Sequence, residues 1–192
     1  MDIPVISKRC GRHAQLAAAS IALVATLIAS SGISAAADVT PDVAVKAALL
    51  YNFAKFAEWP ALPVDAPIDF CIVGDDGIAA ALLGTVRGQN INNHPLDVSR
   101  PQDSGMWRGC QLLFIAEPEI RRSIAGLEAI KTMPVLTVSD GKGFSQTGGI
   151  VELYVEGGRM RFAINVDATE RSSLRLSSRL LGLAKIVRNH PR

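Results

Sequence analysis

Histidine is scarce: three occur in 192 residues, at His13, His94 and His190. A Ser/His/acid catalytic set or a His-rich metal site therefore has almost no material, and no metal or cofactor is expected. Charge of one sign is equally lacking. Of 20 Lys and Arg three fall within the first 37 residues, and of 18 Asp and Glu one does, which leaves 17 of each beyond. That balance gives no reason to expect a nucleic-acid partner. No serine sits in a Gly-x-Ser-x-Gly elbow, and the turn Gly74-Asp75-Asp76-Gly77 lacks the glycine spacing of a phosphate or dinucleotide loop. Asp75 and Asp76 follow a predicted strand, where acids sometimes hold a metal; helix capping is the plainer reading. His94 reads as a solvated turn residue. Outside a single long apolar run, internal repeats and low-complexity segments are missing.

That run lies at the N-terminus. Lys8, Arg9 and Arg12 precede an uncharged stretch from Ala14 to Ala37 that closes on Ala35, Ala36 and Ala37. Positive, apolar and small residues in that order mark a secretory signal peptide, with an uncleaved anchor as the alternative. Cys10 lies upstream of the apolar stretch, where a lipoprotein cysteine could not sit. We therefore expect residues 1–37 to be a cleaved signal and 38–192 one domain in the periplasm. Cys71 and Cys110 are then the only cysteines of the exported part. An even pair in an oxidising compartment favours a disulfide, with two buried thiols as the alternative.

Strand and helix signals alternate through most of the remaining chain. Ala47, Leu50, Tyr51 and Ala54 recur at helical spacing between Pro41 and Trp59, and Pro60 closes that helix. Residues 68–73 read as a buried strand, followed by a short helix through Leu83, a weak strand at 96–99 and a strong one at 110–116. A helix from about Pro118 to Ile130 and a strand at 135–139 come next. Two β-rich runs, 149–156 and 159–166, flank Gly157-Gly158, a tight-hairpin signal. A last helix is predicted from Asp167 to about Val187, with Asp167 and Glu170 as a capping box. The expected fold is α/β, a three-layer sandwich with helices on both faces of a mostly parallel sheet and an antiparallel C-terminal hairpin. Cys71 and Cys110 would stand on strands that can be neighbours.

On that last helix Arg171, Arg175 and Arg179 would form one basic stripe beside Leu176, Leu180, Leu183 and Val187. A solvated face is one reading, and a strip that grips carboxylates of a partner or ligand is the other.

The segments KAALLYNFAKFAEWP (46–60), FCIVGDD (70–76), CQLLFIA (110–116), VLTVSDGKGFSQTGGIVELYVEGGRMRFAINVDA (135–168) and LRLSSRLLGLAKIV (174–187) together resemble the YfiR family. The resemblance implies an α/β periplasmic repressor, often dimeric and not an enzyme, that binds the periplasmic domain of a membrane diguanylate cyclase. It implies an outer-membrane, peptidoglycan-binding lipoprotein as a further partner, and control of cyclic di-GMP and biofilm growth. Cys71 and Cys110 match a disulfide of that family. A second cysteine pair, which some members carry around the stretch that is here Phe144 to Tyr154, is missing. The competing expectation is a small-ligand sensor, with Arg175 and Arg179 on a carboxylate, feeding a membrane histidine kinase or cyclase.

Overall fold

The computed structural model describes residues 40–60 and 62–189, so the signal-peptide expectation lies outside the described residues. The described residues begin with α1 (Pro41–Lys55), β1 (Ala57–Glu58), β2 (Ile68–Val73), α2 (Asp76–Val86), β3 (Asn90–Ile91) and β4 (His94–Ser99). A 3-10 helix at Ser104–Gly109 leads to β5 (Leu112–Ile115), α3 (Ile120–Ile130) and β6 (Leu136–Ser139). Then come β7 (Val151–Glu156), β8 (Arg159–Asn165), α4 (Val166–Arg171), β9 (Arg175–Leu176), α5 (Ser178–Leu181) and β10 (Lys185–Val187). Eight strands form one mixed sheet in the order β10-β8-β7-β6-β5-β2-β4-β3, while β1 and β9 pair separately and antiparallel.

The expected sandwich is present. β4, β2, β5, β6 and β7 run parallel, and β8 returns antiparallel to β7 through Gly157 and Gly158. Both turn glycines have positive φ (58° and 72°), which a two-residue turn of this hand demands and side-chain-bearing residues resist. Side-chain alternation along the central strands then decides the layers. Phe70, Ile72, Leu112, Phe114, Leu136 and Val138 point into a core shared with α1 and α2. Cys71, Leu113 and Ile115 point the other way, into a smaller core with Trp107, Ile130 and Val135 beneath α3 and the 3-10 helix. Helix α1 buries Ala47, Leu50, Phe53 and Ala54, with Phe53 edge-on to Phe162 at 5.1 Å. It stops at Lys55 rather than near Trp59, because Ala57 and Glu58 leave to pair with Leu176 and Arg175.

The long last helix does not exist. Helix α4 begins with the Asn165 side chain accepting from the Ala168 N–H (2.9 Å), so Asp167 and Glu170 form no capping box. Asp167 instead accepts from the Asn189 N–H at 2.7 Å and pairs with Arg188. The helix ends after one and a half turns. Ser173 adopts φ 56°, its N–H donates to the Glu170 carbonyl, and the Leu174 N–H donates to that of Thr169. This pair of bonds is a Schellman closure, with serine in the left-handed position usually given to glycine. Ser172 strengthens the stop by donating its hydroxyl to Ala168 O at 2.9 Å. The leucine spacing that mimicked one helix is spread over β9, α5, the turn after it and β10.

Replacing Ser173 with glycine separates the two readings by sign. In a continuous helix the change costs about 0.5 kcal/mol; at the left-handed position it should stabilise the protein by up to about 1 kcal/mol, measured by urea unfolding.

Candidate functional site

An open, doubly wound sheet ordinarily takes its ligand beyond the carboxyl ends of the strands where the winding reverses. Here that point lies between β2 and β5, since the chain leaves β2 for β4 on one side and returns to β5 on the other. The mouth is plugged. The Glu119 side chain lies over Gly74 and that of Ile120 over Gly141, so closely that neither glycine has room for a Cβ. Asp75 caps α2, accepting from the Ile78 N–H at 2.8 Å, and Asp76 pairs with Arg100. Lys46 spans Asp42 and Asp140, at 2.8 Å from each, while Asp140 also accepts from the Glu117 N–H. Burial works to lower the Lys46 pKa, but the bonds to Asp140 and Asp42 outweigh it and hold the ammonium above its ordinary value. Lys46 thus ties α1 to the end of β6, Asp76 with Arg100 ties α2 to the end of β4, and Glu119 pairs with Arg122 of α3. His94 is likewise engaged and half-buried, its Nδ1–H donating to Ala66 O at 2.7 Å.

Below the mouth, Cys71 on β2 and Cys110 just before β5 form a disulfide with Cα atoms 5.8 Å apart. In the chain-entropy account, closing a loop of about 40 residues stabilises the fold by about 4 kcal/mol. Asp69 stands beside it. Its Oδ2 accepts from Ser99 Oγ at 3.0 Å, and its buried Oδ1 meets no donor among the described residues. Burial pushes this carboxyl above its ordinary value, reinforced by Asp97 and only partly opposed by Ser99.

The three arginines do not form a stripe. Arg171 closes α4 and reaches Gly148 O at 3.4 Å; Arg175 lies in β9 opposite Glu58; Arg179 stands exposed on α5. The break at Ser173 separates Arg171 from the other two. Arg175 and Arg179 remain together on a segment rich in cations. From Ser172 to Asn189 the sequence has Arg175, Arg179, Lys185 and Arg188 and no carboxylate. Leu183 (74 % exposed) and Ile186 (45 %) accompany them. Beyond β10 the sheet has no further strand among the described residues, so its outer backbone edge is open.

Arg171 belongs to a different feature. It borders a cavity of about 570 Å³ between α3 and the loop from Lys142 to Ile150. Glu152 fixes that loop: its buried carboxylate accepts from Gly143 N–H (2.9 Å), Ser145 N–H (3.1 Å) and the Ser145 hydroxyl (2.7 Å). Sequence reasoning passed over Glu152, though a lone acid between Val151 and Leu153 in a strand buried on both faces was its signal.

Fold and site together define a disulfide-tied, doubly wound α/β protein whose strand-end mouth is closed and whose open features lie at the C-terminal segment and beside α3. The family model described as YfiR/HmsC-like matches residues 43–185, and the chain belongs to that family. Among solved structures, a conserved domain protein from Vibrio cholerae O1 biovar eltor strain N16961 is similar at 11 % identity and a TM-score of 0.47. The match covers 75 % of this chain and spans 59 % of that one.

The environment of Asp69 sets a pH dependence. A carboxyl whose folded pKa is raised contributes stability that is present below its unfolded value, near 3.8, and lost as pH rises through the folded value. Asp69→Asn should therefore raise the melting temperature at pH 7, with the gain shrinking to nothing as pH falls below 3.8. Equal melting of the two proteins at both pH values would contradict this account of the carboxyl.

Proposed function

We propose that this protein is a periplasmic regulatory binding protein that represses a membrane diguanylate cyclase by contact with the cyclase's periplasmic domain, and so restrains cyclic di-GMP and biofilm growth. Export through a cleaved signal of residues 1–37 is part of the same proposal. The observation that carries it is the YfiR/HmsC-like match over residues 43–185. Membership implies a regulator working with a membrane signalling partner, rather than a catalyst. The plugged strand-end mouth supports that reading, because a docking protein needs no strand-end crevice. An outer-membrane, peptidoglycan-binding lipoprotein that sequesters the repressor, and a homodimer, belong to the wider proposal.

The docking surface best supported is the segment from Arg175 to Val187. Arg179 and Lys185 make no ion pair among the described residues. A cationic segment with exposed Leu183 and Ile186 suits an acidic partner surface with an apolar centre. Arg171 lies outside this segment and borders the cavity beside α3 instead.

Two substitutions test the reading without touching the core. Arg179→Glu together with Leu183→Asp should release the cyclase, raising cellular cyclic di-GMP toward the level of a strain lacking the protein. The melting temperature should stay within a few degrees, since both side chains are exposed. Unchanged repression by a well-folded, exported double variant would remove this segment from the contact.

A further inference from the structure

The cavity beside α3 is built like a ligand site and is separate from the proposed docking segment. Its apolar wall comes from Ile124 and Leu127 of α3, with Phe144 and Ile150 opposite. Its size of about 570 Å³ falls in the range of sites for small molecules, roughly 300 to 1,000 Å³. The loop that forms one wall is held before any ligand arrives. Glu152 accepts three bonds from Gly143 and Ser145, and Asn165 Nδ2 donates to the Ser145 carbonyl at 2.6 Å. The Phe144 ring packs so tightly on Gly149 that a Cβ there has no room. A wall fixed in this way loses little freedom on binding.

Charge at the cavity selects the head group. Lys142 and Arg171 both line it, and neither forms an ion pair among the described residues. The one carboxylate lining it, Glu128, is held by Lys131. An anion therefore finds two open cations, whereas an ammonium finds no open acid. Ile124 is 61 % exposed and lines the cavity, so its side chain is available to an apolar ligand chain.

We propose that this cavity binds a small anionic amphiphile, an aliphatic carboxylate whose chain lies between Ile124 and Phe144 and whose head group is held by Lys142 and Arg171. The site differs from the arrangement expected from the sequence, because Arg175 and Arg179 take no part in it.

Decanoate is the probe, with decanol and decyltrimethylammonium as neutral and cationic controls, each titrated into the purified protein by calorimetry. Decanoate should bind one to one, decanol more weakly, and the ammonium amphiphile not at all. Lys142→Ala with Arg171→Ala should weaken decanoate binding by about ten-fold or more, and Ile124→Glu should abolish it. Amide chemical-shift changes in the unmodified protein should centre on Gly148 and Gly149, which keeps the idea testable even where a variant folds poorly. Absence of decanoate binding, equal binding of all three amphiphiles, or shift changes centred elsewhere would overturn the proposal. Decanoate affinity unchanged in folded variants would do the same.

Discussion

Side chains alternate across β2 and β5, and both faces of these strands are apolar. Phe70, Ile72, Leu112 and Phe114 occupy one side, Cys71, Leu113 and Ile115 the other, and all seven are buried. A sheet with two apolar faces must be covered twice, and the winding follows from that need. Helices α1 and α2 cover the first face; α3 and the 3-10 helix cover the second. The disulfide joins the two central strands on the side with the smaller core, where burial alone stabilises least. Closing both layers over the strand ends brings Glu119 and Ile120 onto Gly74 and Gly141. The same packing that completes the core thus shuts the crevice where related architectures bind ligands.

Polar contacts organise the other half of the sheet. Asn165 is fully buried at the end of β8 and joins three elements at once: it caps α4, holds the Ser145 carbonyl, and donates to Asn189 Oδ1 at 2.9 Å. Glu152, on the neighbouring strand, holds the same loop from beneath. Partnered groups of this kind fix a unique geometry, because any displacement leaves a buried polar atom unpaired. In this chain they position the loop beside α3 without a second disulfide.

The central strands were legible because runs such as IDFCIV and LLFI are short, apolar and bounded by turns. The hairpin was legible through Gly157-Gly158, whose backbone requirement is written in the residue type itself. The C-terminal region was not. Ser173 reaches a left-handed conformation that serine does not advertise, and Leu176, Leu180, Leu183 and Val187 fall at helical spacing although they lie in β9, α5, the turn after α5 and β10 respectively. The basic stripe was an inference from that false periodicity, so only Arg175 and Arg179 remain neighbours on one segment. The cavity beside α3 left no sequence trace, since its walls come from a helix and a loop brought together by tertiary packing.

Contact with a membrane cyclase is the centre of the functional account, and a photo-crosslinking residue at Leu183 tests it most directly. Leu183 is exposed within the cationic segment, so the probe sits on the proposed surface without entering the core. Illumination of cells should join the protein to a membrane protein identified by mass spectrometry as a diguanylate cyclase, through peptides of its periplasmic domain. Crosslinks to other proteins only, in cells where the cyclase is present and its activity responds to this chain, would contradict the proposed contact.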